Sequence, residues 1–360
     1  SRLNNLGNGL SARYARSGQL ADLEEAIAVY REALRLTPPD SPDRPSRLNN
    51  LGNGLSARYA RSGQLADLEE ARTAYQQAIE WGQKQHPEAA LTAARSWGRW
   101  AMERREWHEA AAAYDQARQA IDRLWRSQLL RGSKEAWLRE AQDLPAPHAF
   151  SLVRLGDHQG AVEALEAGRA QLLREALERN RRDLYALQGT AYEPYYTAYL
   201  QATRQLENLQ AIPYGQRPSD WETQIAQAQA ALQAAIEALR QNVPGFAHFL
   251  KSLPFAEIQR QAADAPLVYL LATPAGGLAL VVTGEGVQAV DLPDLTEEAL
   301  RERVLAYFSA YSPWRAEPYN ETARARWLAA LDETCRWLWE AAMGRVVETL
   351  TPFPVPPPVS

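Results

Sequence analysis

Leu3, Leu6, Leu10 and Tyr14 fall three or four residues apart, a spacing that lays apolar side chains along one stripe of an α-helix. Gly7 lies beside that stripe. A glycine in a helix interior costs about 1 kcal/mol, so its place there predicts close approach by a neighbouring helix. Ser17-Gly18 predicts the end of this helix. A second is expected from about Ala21 to Leu36, with Ala26, Tyr30 and Ala33 turned inward and Pro38 as its stop. The stretch Ser1 to Ala26 then recurs without a change as Ser46 to Ala71, so both copies are expected to fold alike.

A third copy follows, with Trp97-Gly98 and then Ala110, Tyr114 and Ala117; in a degenerate fourth, Leu155-Gly156-Asp157 is the turn and Ala161, Leu165 and Gly168 hold the second-helix positions. The second-helix spacing Ala26-x3-Tyr30-x2-Ala33-x4-Pro38, with Leu6-Gly7 ahead of it, resembles the tetratricopeptide repeat (TPR). The stretch from Gly7 to Ala26 exceeds the 34-residue pattern by about seven residues, or two helical turns. The resemblance implies a mainly α fold: a TPR α-solenoid of helix-turn-helix repeats at about 1–45, 46–90, 91–124 and 144–175. Since Ser1 opens a repeat with no linker before it, further repeats are expected upstream, with the chain a fragment of a longer protein.

Residues 176–250 read as long helices forming a linker or bundle, with breaks near Gln188-Gly189-Thr190 and across Ile212 to Pro218. Trp221 to Arg240 is expected to form a helical hairpin with Tyr195 to Leu209. From 251 to 351 the pattern predicts a small, partial α/β unit. Its elements are a helix over Phe255–Ala263, strands over Leu267–Ala272, Leu278–Thr283 and Val287–Leu292, and helices over Thr296–Tyr311 and Asn320–Met343. Ala265 to Gly284 carries no charge and has the length of a membrane span. Thr273-Pro274-Ala275-Gly276-Gly277 interrupts it, which predicts a buried hairpin instead. Residues 352–360, rich in proline, are expected to be an extended tail.

Two stretches carry a further resemblance, Ala161-Val162-Glu163-Ala164-Leu165-Glu166-Ala167-Gly168-Arg169-Ala170 and, more specifically, Pro266-Leu267-Val268-Tyr269-Leu270-Leu271-Ala272-Thr273-Pro274-Ala275-Gly276-Gly277-Leu278-Ala279-Leu280. Together with the Trp337-Leu338-Trp339 helix they resemble TPR–CHAT proteins, in which a TPR array precedes a caspase-like protease domain. That resemblance implies a catalytic histidine in a strand-end His-Gly motif and a later cysteine. His-Gly occurs nowhere among the five histidines. The single cysteine, Cys335, lies mid-helix between Thr334 and Arg336, and is expected to be a small core residue. No residue here takes a catalytic role, and the chain is expected to stop before the catalytic portion.

Composition narrows the remaining options. The formal charge of −5 gives no general pull toward nucleic acid or an anionic membrane. One cysteine leaves no intrachain disulfide, and the histidines have no metal-ligand spacing, so neither metal nor cofactor is expected. Gly132-Ser133-Lys134 lacks the rest of a phosphate loop. With no secretory signal at its start, a cytoplasmic setting is expected.

The binding reading has positive content. Beside the Leu3, Leu6 and Leu10 stripe, one face of the first helix carries Asn4, Asn8 and Ser11, repeated as Asn49, Asn53 and Ser56. An asparagine amide offers a donor and an acceptor, so a row of them suits the backbone of an extended peptide in a concave groove. The Leu-Asn-Asn-Leu-Gly-Asn run also resembles the first helices of kinesin-light-chain-type TPRs, which implies the same use. Arg13 and Arg58, one turn on, are candidates to read a carboxylate. In the alternative reading Asn5 and Asn50 cap or bridge repeats, and Asn4 and Asn8 are simply solvated. The function expected is thus a protein- or peptide-binding scaffold, the recognition part of a caspase-like protease. Its rivals are a structural module that self-associates through the α/β unit, and a cysteine protease whose catalytic pair lies outside this chain.

Overall fold

The computed structural model describes residues 2–127, 143–179, 182–212, 216, 218, 220–247, 249 and 253–350. Gly132-Ser133-Lys134, His248, most of the break at 212–218 and the tail at 352–360 lie outside the described residues. The described chain is mainly helical, with one small three-stranded antiparallel sheet. It divides into two compact units, Ser1–Leu144 with Ala167–Ser252, and Pro145–Glu166 with Leu253–Ser360.

The first unit opens with α1 (Arg2–Ser17), α2 (Leu20–Arg35), α3 (Arg44–Ser62), α4 (Leu65–Gln85), α5 (Pro87–Glu103) and α6 (Trp107–Ser127). Each packs on the next, and the odd-numbered helices also meet, α1 with α3 and α3 with α5. Gly18 and Gly63 end α1 and α3 at positive φ, 70° and 67°, where glycine carries no Cβ penalty. Pro45 and Pro87 stand in the first turns of α3 and α5, where the missing N–H has no intrahelical partner to lose.

Close approach at the helix glycines is real. A Cβ on Gly52 would meet the Tyr75 ring at 2.8 Å, and one on Gly98 would meet Tyr114 at 2.9 Å; Tyr30 covers Gly7 in the same way. The three tyrosines are buried among the small residues that precede and follow them, Ala26 and Ala33, Ala71 and Ala78, Ala110 and Ala117. Further along this unit, Glu193–Gln210 and Trp221–Asn242 form the expected hairpin. Its core holds Leu184, Tyr196, Tyr199, Leu239 and Val243, and the Trp221 indole N–H donates to the Leu209 carbonyl at 2.8 Å.

The second unit opens with helix Pro145–Arg154, which turns at Gly156 (φ 83°) into His158–Arg179, a helix whose residues up to Glu166 belong to this unit. This hairpin, read from sequence as the last repeat of the array, clusters with the sheet. Helix Pro145–Arg154 packs on strand Leu267–Thr273, Glu163 accepts from the Phe255 backbone N–H at 2.7 Å, and Arg154 pairs with Asp291 at 2.6 Å. The sheet runs β1 (Leu267–Thr273), β2 (Gly276–Thr283), β3 (Gly286–Leu292), with Tyr269 opposite Leu280 and Leu280 opposite Ala289. The uncharged stretch is therefore a hairpin. Central β2 is buried along almost its whole length, which accounts for its unbroken apolar run. No described helix is long and apolar enough to cross a membrane.

Two helices differ from expectation. Glu297–Ala316 continues past Pro313, because Trp314 in its last turn stacks on Trp327, with ring centroids 4.0 Å apart. The stretch expected as one helix to Met343 runs as Glu321–Leu338, then a π-helical turn at Trp339–Met343, then Gly344–Leu350. Cys335 is exposed, not a core residue. Helix Glu321–Leu338 buries only Ala323 fully among its residues, so the apolar character around Cys335 does not make a core there.

Candidate peptide-binding cleft

The asparagines of α1 and α3 divide into three roles. Asn50 bridges the two identical copies, its side-chain N–H group donating to Asn4 Oδ1 at 3.0 Å and to Asn8 Oδ1 at 3.1 Å. Asn8 and Asn53 each also accept from the tyrosine of their own repeat, Tyr30 at 3.0 Å and Tyr75 at 2.8 Å. Burial pushes both phenols above their ordinary pKa, so they stay neutral donors. The Ser11 side chain works against the rise of the Tyr30 pKa, and in the second copy the Tyr75 hydroxyl lies 3.4 Å from Ser56 Oγ, which donates to the Asn53 backbone carbonyl at 2.9 Å. These side chains fix the orientation of the first helices through the Gly–Tyr contact below them.

Arg13 and Arg58 are placed differently from expectation. Each closes its guanidinium fork on an aspartate nine residues later: Arg13 on Asp22 at 2.7 Å through both nitrogens, Arg58 on Asp67 at 2.8 and 2.6 Å. Both aspartates are buried. The hydrogen bonds to Arg13 hold the Asp22 carboxyl below its ordinary pKa, and those to Asp67 raise Arg58. Each fork expected to meet a ligand carboxylate spends its Nε and Nη2 edge within the repeat, where it clamps the α1–α2 and α3–α4 turns.

Asn49 is the exception among the amides. It is 7% exposed, and its Oδ1 is buried without a hydrogen-bond partner. An unmatched buried carbonyl costs about 1–3 kcal/mol. Asn49 lines an open cleft of about 400 Å³ between the starts of α3 and α5. Ser46 and Asn50 share its α3 wall; Glu88, Ala89 and Thr92 form the α5 wall. Pro42 and His86 close the ends. The His86 ring stacks on Trp81 (5.5 Å, 6°), and the Trp81 indole donates to the Pro39 carbonyl at 2.9 Å, which ties the loop before α3 to the end of α4.

No protein-family model matches the chain, and neither the curated proteins nor the solved structures give a match. The arrangement must speak through its chemistry. A cleft walled by amides and hydroxyls suits a ligand that exchanges hydrogen bonds with it. Among the described residues, no group of three His, Cys, Asp or Glu side chains gathers as metal ligands.

The α5 wall was missed by sequence reasoning. His86-Pro87 is a helix-start signal, but only the meeting of α3 with α5 turns it into a wall opposite Asn49. The Arg13–Asp22 pairing was also missed. Its signal was present, since both residues recur at the same separation around the Ser-Gly turn in each identical copy.

Proposed function

We propose that this chain is a TPR-type scaffold whose first helices receive an extended peptide or protein segment, and that it serves as the recognition portion of a TPR–CHAT-like protein. The observation carrying this reading is the open cleft between the starts of α3 and α5, whose α3 wall includes the asparagines Asn49 and Asn50. Side-chain amides offer both donors and acceptors to the backbone of an extended peptide. The resemblance of the Pro266 to Leu280 sequence to the opening of a CHAT region supports the wider assignment, as does the Gly–Tyr pairing at repeat-like positions. Catalysis, in this reading, belongs to residues outside this chain.

The test is a display screen of unstructured peptides against the whole chain, with Asn49→Leu as the counter-screen. Sequences enriched on the parent and lost on Asn49→Leu support a peptide site at the cleft. Enrichment that ignores the substitution removes it. A second reading has one observation in its favour. Helix Glu297–Ala316 buries none of its residues, and Val304, Leu305 and Phe308 are exposed on it, which fits self-association by a second copy. Sedimentation at high concentration decides that: a strict monomer ends it.

A further inference from the structure

We infer that helix Glu297–Ala316 pairs antiparallel with the same helix of a second copy, along a stripe that runs from Glu297 through Val304 and Phe308 to Arg315. The inference rests on the self-association reading above and is independent of the Asn49 cleft. To that reading it adds a direction, a register and the charges that set both.

One side of this helix is taken by its neighbour, Glu321–Leu338. Trp314 stacks on Trp327, the Trp327 indole N–H donates to the Tyr307 hydroxyl at 3.3 Å, and Arg303 pairs with Glu333. Positions 303, 307 and 314 therefore share the inward side. At about 100° per residue, Glu297, Val304, Phe308 and Arg315 fall near a common line, roughly a quarter-turn round the helix from that side. Val304 and Phe308 are 43% and 53% exposed, and Leu305 beside them is 64% exposed. Large apolar side chains grouped in water on a helix that buries none of its residues mark a surface that takes a partner.

The ends of the stripe identify that partner. Glu297 stands in the first turn and Arg315 in the last, and among the described residues neither forms an ion pair. Place a second copy across a two-fold axis level with Ala306. Glu297 then faces Arg315 of the second copy, Val304 faces Phe308, and each contact occurs twice because the interface is isologous. Arg301, on the same stripe, comes opposite the Tyr311 ring, where a guanidinium is attracted. A parallel copy would instead set Glu297 on Glu297 and Arg315 on Arg315, and a slip of one turn would leave the end charges unmatched. Antiparallel helices also bring each amino end beside the other's carboxyl end, so the helix dipoles attract. The stripe is complementary to its own reversal, and a second copy is the partner that fits it.

The experiment is sedimentation equilibrium of the full chain at low ionic strength over a concentration series. The parent is expected to form a dimer. Glu297→Arg and Arg315→Glu each turn two opposite-charge contacts into two like-charge ones, and each is expected to weaken the dimer about tenfold. The double variant carrying both substitutions should regain most of that loss, as should an equal mixture of the two single variants. High salt should narrow the difference between the parent and the single variants. Phe308→Ser should abolish association. Circular dichroism checks the fold of each variant, and recovery on mixing is itself a control, because a misfolded chain gains nothing from its complement. Single variants as tight as the parent, or a double variant as weak as the single ones, would overturn the antiparallel pairing; self-association through this helix would stand if Phe308→Ser still abolishes it. A dimer that survives Phe308→Ser, or a parent that stays monomeric at high concentration, would end both.

Discussion

Glu109 joins three helices through one carboxylate. Its Oε1 accepts from Arg104 at 2.6 Å and from the Trp97 indole, and its Oε2 accepts from Arg72 Nε at 3.0 Å and Nη2 at 2.7 Å. Burial pushes its pKa up, but the bonds from Arg72, Trp97 and Arg104 outweigh that and hold it below the ordinary value. The sign then follows. The unfolded chain binds a proton near pH 4.3 that the folded chain still rejects, so the stabilisation is present above that pH and is lost as pH falls through the folded value. Glu109→Gln should cost about 2–3 kcal/mol at pH 7, and its urea midpoint should converge on that of the parent in acid. A constant gap across the titration would contradict this. Asn49 predicts the opposite sign of change. Asn49→Leu removes an unmatched carbonyl and should leave urea stability unchanged or raise it by about 1 kcal/mol, while peptide binding is lost. Function and stability separate at that residue.

At the scale of elements, the identical copies act as an internal control, since α1 and α3 share sequence but not surroundings. Leu51 is 4% exposed and Leu6 is 50% exposed. A Cβ on Gly54 would meet Ile27 of α2 at 3.0 Å, whereas one on Gly9 would meet nothing within 4 Å. The α3 face is covered by α2; the same face of α1 is bare. Gly9→Ala should therefore stabilise by up to about 1 kcal/mol through helix propensity alone, and Gly54→Ala should gain less or lose. Likewise Leu51→Ala should cost about 2–5 kcal/mol, and Leu6→Ala under about 1, both read from urea midpoints. Equal costs at the paired positions would mean that local sequence, not the neighbour, sets them. The same contrast explains what could be read in advance. Most helix positions, the close approach at Gly7 and all three strands were legible, because periodicity and turn residues act locally. The cleft was legible only on its α3 side: Asn49 could be singled out, but its burial depends on α5. The aspartate partners of Arg13 and Arg58 were not named in advance, because an engaged fork edge and an open one have the same sequence. The helix expected to end at Tyr311 runs on to Ala316, where Trp314 stacks on Trp327, a residue distant in sequence.

On the scale of the whole molecule, the described core residues fall into separate groups. The repeats bury Leu55 among α3 and its neighbours, and the sheet unit buries Val346 with Ala279, Val281, Leu292 and Ala342. The two compact units share no residue of these cores. Substitutions that are distant and have no common partner act independently, and regions with separate cores open as separate cooperative units. Leu55→Ala should lower the stability of the first unit by about 2–5 kcal/mol, visible as faster hydrogen exchange across 2–127 with 267–292 unchanged. Val346→Ala removes less volume and should act by about 1–3 kcal/mol on 253–350 alone. Hydrogen exchange read by mass spectrometry over a urea series resolves the two sets of segments in one sample. If either substitution accelerates both sets to the same extent, the chain unfolds as a single unit. A ligand in the Asn49 cleft would then stabilise the sheet as strongly as the repeats. If they respond separately, a peptide bound at α3 and α5 protects the first unit, and any signal to the second must come through a difference in affinity between two of its arrangements.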